Sequence, residues 1–475
     1  MEPSSSPLLY QTISERLSRM IFQGTFRAGE RIPSVRKLSE QFQVSISTIL
    51  EAYRLLEDRG IIEARPQSGF YVRPRSWQPP AEPKVSDPPS TPSLVTVGDL
   101  VMQVIHAAND PDMIQFGTVV PAPELLPTRQ LNRIMSVIGR RQPHKSNSYD
   151  FPPGNKSLRI QTAKRAIEAG CTLTPEDLVT TCGSQEAISL CLRAVAKPGD
   201  IIAIESPTFY GILQAIEQFG MRALEIPTHP REGISLDALR FAIEHKKIKA
   251  CLFVLNFNNP LGSCMPDENK KKLVALLSEY NIPLIEDDIY GDLFFGAKRP
   301  KVAKAYDNGD RVLLCSSFSK TLAPGYRVGW AAPGKRYKQE IERLKFVSSV
   351  ATATLPQMAI AEFLENGGYD HYLRKVRRIY ADQIQRMTEC ITKNFPEGTK
   401  ITRPQGGFVL WVELPGKIDS LLLHKRALKE KINIAPGPLF SPQQRYRNFI
   451  RINCGHLWSE KIEQGLITLG RLAKT

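Results

Sequence analysis

The chain has 475 residues, 42% hydrophobic and 23% charged, which is an ordinary composition for a soluble globular protein. No run of about 18 apolar residues occurs, so the sequence predicts no membrane span, and the N-terminus lacks the regions of a secretory signal. The eight cysteines are scattered, without a CxxC pair or a histidine at metal spacing. We therefore expect reduced thiols, a cytoplasmic protein and no metal site.

The net charge of +15 permits an acidic partner such as nucleic acid. Residues 1–75 contain 11 Lys/Arg and 8 Asp/Glu, a net of +3, which leaves +12 for the remaining residues. Because the excess charge is spread along the chain, it does not locate a nucleic-acid site, and motifs must do so.

The first 75 residues predict three helices and a β-hairpin. Ile13, Leu17 and Ile21 form one apolar helical stripe, and Ser34 is placed to cap a second helix. The stretch SISTILEAYRLLEDRG predicts a third helix with Ile49, Tyr53 and Leu56 facing inward. The stretch IIEARPQSGFYV predicts a hairpin. Together they predict a winged helix-turn-helix, whose third helix can enter a major groove.

A proline-rich segment follows, RPRSWQPPAEPKVSDPPSTPS. This composition favours extended polyproline II, which rises about 3.1 Å per residue and cannot bury a core. We interpret residues 76–95 as a semi-rigid linker between a domain of residues 1–75 and a body of residues 96–475.

The body alternates between apolar runs and helical stretches. The runs LVTT, IIAIE, ACLFVLN, PLIE and RVLLCSS read as strands of a mostly parallel sheet covered by helices on both faces. From about residue 369 the pattern is helix-rich and then mixed, which predicts a smaller α+β lobe. The fold class is therefore α/β with a second, smaller lobe.

The segments that follow these runs carry residues with chemical potential. In chain order they are Gly183, Ser184 and Gln185 in CGSQEAISL, Phe209 and Tyr210 in ESPTFYG, Asn259 in NFNNPLG, Asp287, Asp288 and Tyr290 in PLIEDDIYGDL, and Ser317, Ser319, Lys320 and Arg327 in SSFSKTLAPGYRVGW. Taken singly, each has an ordinary reading: a strand-to-helix turn, core aromatics, an Asn-Pro turn, a carboxylate pair, or a solvated loop lysine. In order, they match what pyridoxal phosphate needs: an amine, a carboxylate for the pyridine nitrogen, a flat ring, and donors for the phosphate.

The set, with its spacing, resembles the class I aminotransferases of pyridoxal-phosphate fold type I from about residue 114 to the end. The resemblance implies that Lys320 forms a Schiff base with the cofactor and that Asp287, rather than Asp288, faces the pyridine nitrogen. It implies further roles that follow the family pattern: Asn259 and Tyr290 at the phenolate oxygen, Phe209 or else Tyr210 on the ring, and Gly183, Ser184, Gln185, Ser317, Ser319 and Arg327 at the phosphate.

Three further assignments come from the same resemblance. Arg451, in FIRINCG, would clamp a carboxylate of the substrate or effector, and Gly117 would lie on the same side of the site. Tyr149, in YDFPPGNKSLR, would reach the cofactor phosphate of a partner subunit, which implies a homodimer.

The N-terminal 75 residues resemble the winged helix of the GntR family through Pro-Ser-x-Arg, Val-Ser-x-x-Thr and the Ser-Gly-x-x-Val wing. The resemblance implies DNA contacts from these residues: Ser34, Arg36, Ser45, Ser47, Thr48, Arg54, Arg65, Gln67, Ser68 and Gly69. One position departs from the pattern, since Ile46 stands where many family members carry arginine, so a guanine contact from there is lost.

The whole chain resembles the MocR/GabR family of transcription regulators. The resemblance implies a homodimeric regulator that binds double-stranded operator DNA and senses a small amine or amino acid through aldimine chemistry at Lys320. Two alternatives stay open: a working aminotransferase with an accessory DNA-binding head, since every catalytic group is present, and a sensor of pyridoxal phosphate itself. The sequence leaves open the effector, the operator and the direction of regulation.

Overall fold

The structure, a computed structural model, describes residues 9–22, 25–26, 29–58, 61–65, 68–72 and 79–474. Contacts divide the chain into two compact units, one ending at Pro79 and one beginning at Pro80. We call them the head and the body and describe each by itself. Gln67, predicted to lie in the wing, falls outside the described residues, as do residues 76–78 of the predicted linker.

The head is a three-helix unit with a two-stranded wing, which confirms the predicted winged helix-turn-helix. Its elements are α1 (Leu9–Phe22), α2 (Val35–Phe42), α3 (Ile46–Asp58), β1 (Ile62–Arg65) and β2 (Gly69–Val72). The strands pair antiparallel. The core contains the inward residues predicted for α3, because Ile49, Tyr53 and Leu56 are fully buried.

The helices and strands of the body alternate along much of the chain. The helices are α4 (Gly98–Ala107), α5 (Thr128–Arg141), α6 (Pro143–Ser146), α7 (Lys156–Ala166), α8 (Ser184–Val195), α9 (Tyr210–Gln218), α10 (Leu236–His245), α11 (Asp267–Glu279), α12 (Lys335–Ser349), α13 (Thr354–Glu365), α14 (Gly368–Asn394), α15 (Ser420–Lys429) and α16 (Glu460–Lys474). The strands are β3 (Ile114–Gln115), β4 (Val179–Thr181), β5 (Ile201–Ser206), β6 (Arg222–His229), β7 (Gly233–Ile234), β8 (Ile248–Phe253), β9 (Leu284–Asp287), β10 (Val312–Ser317), β11 (Gly329–Ala332), β12 (Lys400–Ile401), β13 (Val409–Glu413), β14 (Ile432–Asn433), β15 (Ala435–Pro436) and β16 (Phe449–Asn453).

The large sheet of the body has the strand order β4-β11-β10-β9-β8-β5-β6-β7. Strands β6, β5, β8, β9 and β10 pair parallel, while β11 runs antiparallel to both of its neighbours. Buried apolar clusters lie on both faces, as expected for strands that are hydrophobic throughout. All five predicted strands are present. The sequence analysis missed β6, which contains a proline and charged residues, and the four-residue β11.

The smaller lobe is built on a four-stranded sheet, β12-β13-β16-β15. The long helix α14 and the helices α15 and α16 supply apolar residues to one core with that sheet. The smaller lobe contacts the large-sheet side of the body through Arg451 of β16. Its Nη1 donates to Asn259 Oδ1, in the segment after β8, at 3.3 Å.

The structure differs from the sequence analysis in residues 80–95, which were predicted to be linker. On the outer side of β6, the strand β7 pairs only with Thr228 and His229. The rest of this edge of β6 can therefore pair with an extended segment. Ser93 pairs with Ala223 of β6, and Ser86 N donates to Thr228 O at 3.2 Å. Ile401 of the smaller lobe donates its N–H to Ala81 O at 3.0 Å. Residues 80–93, which we call the strap, therefore lie along both lobes.

No helix among the described residues is long and apolar enough to cross a membrane.

Candidate cofactor site and DNA-binding face

The candidate cofactor site lies where the parallel strands end. The carboxyl ends of β5, β8, β9 and β10 share one edge of the sheet, which is where ligands bind in open α/β folds. Asp287 is the last residue of β9, and the segments after β5, β8 and β10 carry Phe209, Asn259 and Lys320, respectively. The structure thus brings together residues that lie more than 100 positions apart in the sequence.

Lys320 is the amine of this site. Its Nζ donates a hydrogen bond to the Val119 carbonyl oxygen at 2.5 Å, a contact that crosses 201 positions of the chain. Burial, and then the positive charges of Arg451 and Arg327, lower the pKa of Lys320 to about 8. A lysine with a lowered pKa is neutral, and therefore nucleophilic, in a larger fraction of molecules near neutral pH.

Two adjacent carboxylates, Asp287 at the end of β9 and Asp288 directly after it, have different surroundings in the structure. Asp288 is already committed, because its Oδ1 accepts from Asn256 Nδ2 at 2.8 Å and its Oδ2 pairs with Arg299. Asp287 is buried, and its Oδ1 has no hydrogen-bond partner among the residues that the structure describes. A buried carboxylate oxygen without a hydrogen bond needs a partner, and a protonated pyridine nitrogen supplies one. The geometry therefore favours Asp287, as the sequence analysis did.

The titration of Asp287 gives a first prediction. Burial, and then the charge of Asp288, raise the pKa of Asp287 to about 7, while Lys320 opposes this. In the unfolded chain an aspartate titrates near 3.9, so between about pH 4 and 7 the folded protein holds a proton that the unfolded chain has lost. The free energy of unfolding of the cofactor-free body should therefore fall as pH rises through this window, by up to about 1.4 kcal/mol per pH unit for each such group.

Calorimetry of the cofactor-free protein between pH 5 and pH 7 measures this slope. Asp287→Asn should have a smaller slope, with residual contributions from Glu205 and Glu286, whose pKa values burial raises to about 8 and about 7, respectively. Asp237→Asn, at an exposed position, should keep the wild-type slope. An Asp287→Asn slope equal to that of wild type would contradict the buried, protonated carboxyl.

The phosphate side of the site is formed at the start of α8. Gly183 caps this helix with φ +80°, and a Cβ there would lie 2.6 Å from Arg327 Nη2. The guanidinium of Arg327 is held over this terminus because it donates to Cys182 O at 3.1 Å and to Ser319 Oγ at 3.2 Å. Ser317 Oγ accepts from Ser319 N at 3.2 Å. A helix N-terminus, hydroxyls and one cation together suit a phosphate.

Arg451 forms the opposite side. It is fully buried, donates from Nη1 to Asn259 Oδ1 at 3.3 Å, and donates from Nη2 to the Gly117 carbonyl. Gly117 leaves no room for a side chain, since a Cβ would lie 2.8 Å from Asn433 Oδ1. Asn259 also donates from Nδ2 to Tyr290 Oη at 3.5 Å. Asn259 and Gly117 thus hold the guanidinium.

The aromatic wall is formed by Phe209 and Tyr210. Their ring centroids are 4.5 Å apart, and the guanidinium carbon of Arg451 lies 6.0 Å from the Tyr210 ring centroid. Gln185 Nε2 donates to Gly211 O at 2.7 Å, which ties the start of α8 to the start of α9. The side chain of Gln185 therefore positions the backbone at the start of α9. Phe209 and Tyr210 both remain candidates for the stacking ring.

Tyr149 is not part of the site within one chain. Its side chain is 72% exposed and stacks on Phe151 with ring centroids 5.4 Å apart. Phe151 in turn lies 6.1 Å from Phe346, which is also exposed. Tyr149, Phe151 and Phe346 thus form an exposed aromatic cluster on the surface of the body.

Two contributions to the site were missed by the sequence analysis. The Val119 carbonyl that accepts from Lys320 carries no side-chain signal, so no motif could reveal it. Arg299 pairs with both Asp288 and Asp292 and fixes the segment after β9. Its role depends on a loop path that spacing alone does not encode.

The candidate DNA-binding face of the head begins at two helix N-termini. Ser34 caps α2, because its Oγ accepts from Lys37 N at 3.3 Å. Arg36 is exposed at the start of the same helix. At the start of α3, Ser45 Oγ lies 2.8 Å from Ser47 Oγ and 2.7 Å from Thr48 Oγ1. These hydroxyl groups and helix ends are suited to phosphate contacts.

The remaining predicted DNA contacts lie on α3 and the wing. Arg54 is exposed and pairs with Glu51 at 2.7 Å. Arg65 pairs with Glu63 at 2.9 Å, and its guanidinium carbon lies 4.3 Å from the Tyr71 ring centroid. Ser68 Oγ lies 2.6 Å from Tyr71 Oη. Gly69 has φ +103° at the turn of the wing.

The body's donor set fits pyridoxal phosphate. A lysine with a lowered pKa, a buried carboxylate with one unpaired oxygen, a cation over a helix N-terminus and an aromatic wall meet at one sheet edge. This combination meets the needs of an aldehyde, a pyridine nitrogen, a phosphate and a flat ring, respectively.

Comparisons with known proteins agree with this chemistry. Residues 122–468 match the model of the family "Aminotransferase class I and II", and residues 9–72 match "Bacterial regulatory proteins, gntR family". The chain is 40% identical over 463 residues to a protein of Escherichia coli strain K12 named the uncharacterized HTH-type transcriptional regulator YdcR, and the match covers 98% of each chain. It is also 30% identical to aromatic-amino-acid aminotransferase 1 of Thermococcus litoralis, over 79% of this chain and 90% of that one.

A solved structure extends the comparison. The α-aminoadipate aminotransferase LysN of Thermus thermophilus, complexed with N-(5'-phosphopyridoxyl)-L-leucine, matches with a TM-score of 0.73 at 28% identity, over 80% of this chain and 98% of that one. The chain therefore belongs to the class I and II aminotransferase family and carries a GntR-family head, the arrangement of HTH-type transcriptional regulators of the MocR type. Pyridoxal phosphate is the cofactor of its body.

Proposed function

We propose that this protein regulates transcription by coupling occupation of its cofactor site by a small amino acid to operator binding by its head. The observation that carries the proposal is that one chain joins a GntR winged helix to a body that keeps an amine, a buried carboxylate with one unpaired oxygen, and a buried arginine at one site. The effector is an amino acid because Arg451 is a buried cation suited to a carboxylate.

When bound, pyridoxal phosphate supplies an aldehyde carbon that reacts with primary amines and a ring that withdraws electrons. The residues of the chain do the rest. Lys320 presents the resident amine, and its lowered pKa lets it give up and take back a proton near neutral pH. Asp287 holds a proton at the pyridine nitrogen, and Arg327 with the start of α8 binds the phosphate. Arg451 binds the effector's carboxylate, turning from the contacts it makes with Asn259 and Gly117.

The strap offers a route from the site to the head. It leads directly from the body to the last residue of the head and is held by both lobes. Glu82 accepts from Arg231 Nε at 2.6 Å and from Arg403 N at 3.2 Å, and Arg231 and Arg403 come from different lobes. An effector that changes the arrangement of the two lobes also moves the residues to which the strap is bound. The strap, and the chain that joins it to the head, then change position.

Glu82→Gln tests this route. Ion pairs at protein surfaces contribute about 0.2–1 kcal/mol, so loss of the Glu82–Arg231 pair should reduce the effect of the amino acid on DNA affinity by about 1.4-fold to fivefold. The visible absorbance of the bound cofactor should stay as in wild type, since Glu82 lies outside the site. Glu397→Gln, at an exposed position of the body, is the matched control. If the ratio of DNA affinities with and without the amino acid is the same in Glu82→Gln as in wild type, the strap is excluded as the route.

A working aminotransferase is the second candidate, because the catalytic groups Lys320, Asp287, Tyr290 and Arg451 are all present. The experiment that separates the candidates mixes the purified protein with amino acids and a keto acid, and follows both the cofactor spectrum and operator binding. Many turnovers at about 1 per second or faster without a change in DNA affinity favour the enzyme. A spectral change with altered DNA affinity and no accumulating product supports the regulator. DNA affinity that responds to the cofactor alone favours a cofactor sensor.

The proposal includes a homodimer with shared sites. It is supported by the exposed aromatic cluster of Tyr149, Phe151 and Phe346, and Tyr149 would contact the partner's cofactor phosphate from this surface. A protein that binds operator DNA acts in the cytoplasm, which is where we propose that it works.

A further inference from the structure

The first turns of α3 expose two apolar side chains. Ile46 is 48% exposed and Leu50 is 37% exposed, whereas Ile49 beside them is fully buried in the head's core. Side chains four residues apart lie on the same face of a helix, so Ile46 and Leu50 form one apolar pair on the surface. The pair is not required for the head's core, which α3 supplies with Ile49, Tyr53 and Leu56.

The surroundings of this pair are polar but uncharged. Residues 45–50 read SISTIL and contain no charged side chain. Beside the pair, Ser45 Oγ hydrogen-bonds to the hydroxyl groups of both Ser47 and Thr48. The first charged residue of α3, Glu51, is paired with Arg54 at 2.7 Å.

This composition limits which bases the helix can read. Discrimination of guanine in the major groove usually uses a bidentate arginine or lysine, and this turn has neither. Thymine is distinguished there by its 5-methyl group, which is recognised by apolar contact. Two exposed aliphatic side chains beside small hydroxyl residues are suited to that contact.

The pair is also held in place. Tyr53 Oη donates to the Pro33 carbonyl oxygen at 2.6 Å, which fixes α3 against the start of α2. Ser45 Oγ accepts from Thr48 N at 3.2 Å and fixes the first turn. Because the pair is held rigidly, its contact with DNA can depend on the presence of a single methyl group.

We propose that Ile46 and Leu50 are specificity-determining residues that contact thymine 5-methyl groups in the major groove of the operator. This inference rests on the proposed DNA-binding function and deepens it, because it names the base chemistry that α3 recognises.

Deoxyuridine substitution tests the inference at the level of one methyl group. The full-length protein with its cofactor is used to select duplexes from a random-sequence library, and each thymine of the selected site is then replaced by deoxyuridine, which keeps base pairing and removes only the methyl. Burying one such group contributes about 0.8 kcal/mol. Affinity should therefore fall about threefold to fivefold at one or two thymines per half-site and remain unchanged at the others.

The variants Ile46→Ala and Leu50→Ala complete a double-mutant cycle. Each should bind the thymine duplex more weakly than wild type, and at one sensitive position each should bind the thymine and deoxyuridine duplexes equally. Leu422→Ala, which removes a 58% exposed leucine of the body, should keep the wild-type ratio. Because a methyl contact releases no counterions, the ratio should also be the same at 50 and 200 mM salt, although overall affinity falls.

The outcomes separate this inference from the function on which it rests. If no duplex is enriched, DNA binding fails and the inference fails with it. If duplexes are enriched but deoxyuridine is tolerated at every position, DNA binding stands and the inference is overturned. It is also overturned if both alanine variants still prefer thymine as strongly as wild type does.

Discussion

Replacing Lys320 by alanine is expected to abolish covalent retention of pyridoxal phosphate. The Lys320 Nζ is the amine placed at the sheet edge beside Asp287 and Arg451, and its lowered pKa makes it the reactive amine of this site. Borohydride treatment followed by mass spectrometry should find the cofactor on the peptide containing Lys320 in wild type and no adduct in the variant. Affinity for the cofactor should weaken by about 100-fold or more, or about 3 kcal/mol.

The matched control is Lys272→Ala, at an exposed position on α11, which should retain the adduct and the visible absorbance of wild type. DNA binding without effector should persist in Lys320→Ala, because the head folds around its own core. An adduct of equal yield on another lysine of the folded variant would show that Lys320 is not the attachment site.

Arg451→Ala is expected to remove the response to amino acids while leaving the cofactor bound. The buried guanidinium is the group that would pair with the effector's carboxylate, and loss of one partner of such a buried pair costs about 2–5 kcal/mol. The amino-acid concentration needed for half of the spectral change should therefore rise by about 30-fold to several thousand-fold.

A second ligand sharpens this test. The amine that has the same skeleton but no carboxylate should produce the spectral change with similar affinity in wild type and Arg451→Ala. Arg447→Ala, at an exposed position nearby in sequence, should behave as wild type with both ligands. Equal losses for the amino acid and the amine would mean that Arg451 acts through the structure of the site rather than through the carboxylate.

Much of the fold could be predicted from the sequence because local patterns of apolar residues indicate its strands and helices. Apolar runs bounded by turns gave the parallel strands, and residues such as Asp287 and Lys320 follow those runs directly. Parallel strands place their carboxyl ends at one edge, so positions far apart in the chain could be assigned to one site. In the head, the apolar spacing of α3 was enough to identify its buried face.

The remaining features depend on tertiary contacts that no local pattern encodes. A proline-rich composition predicts an extended backbone, but whether that backbone is free depends on a neighbouring edge. The pairing of Ser93 with Ala223 depends on the exposed edge of β6, a strand that the sequence analysis missed. The resemblance selected Asp287 over Asp288, but the physical reason, the pairing of Asp288 with Arg299, is visible only in the folded chain.

The central claim is that the cofactor site and the operator site are coupled, and thermodynamic linkage tests it most directly. Operator affinity of the cofactor-loaded protein is measured with and without a saturating amino acid, and amino-acid affinity is measured with and without saturating operator. Couplings of this kind are typically about 5- to 150-fold, and linkage requires the same factor in both measurements. We predict such a factor for wild type and a factor near one for Lys320→Ala. A wild-type protein whose cofactor spectrum responds to the amino acid while its operator affinity does not change would contradict the account.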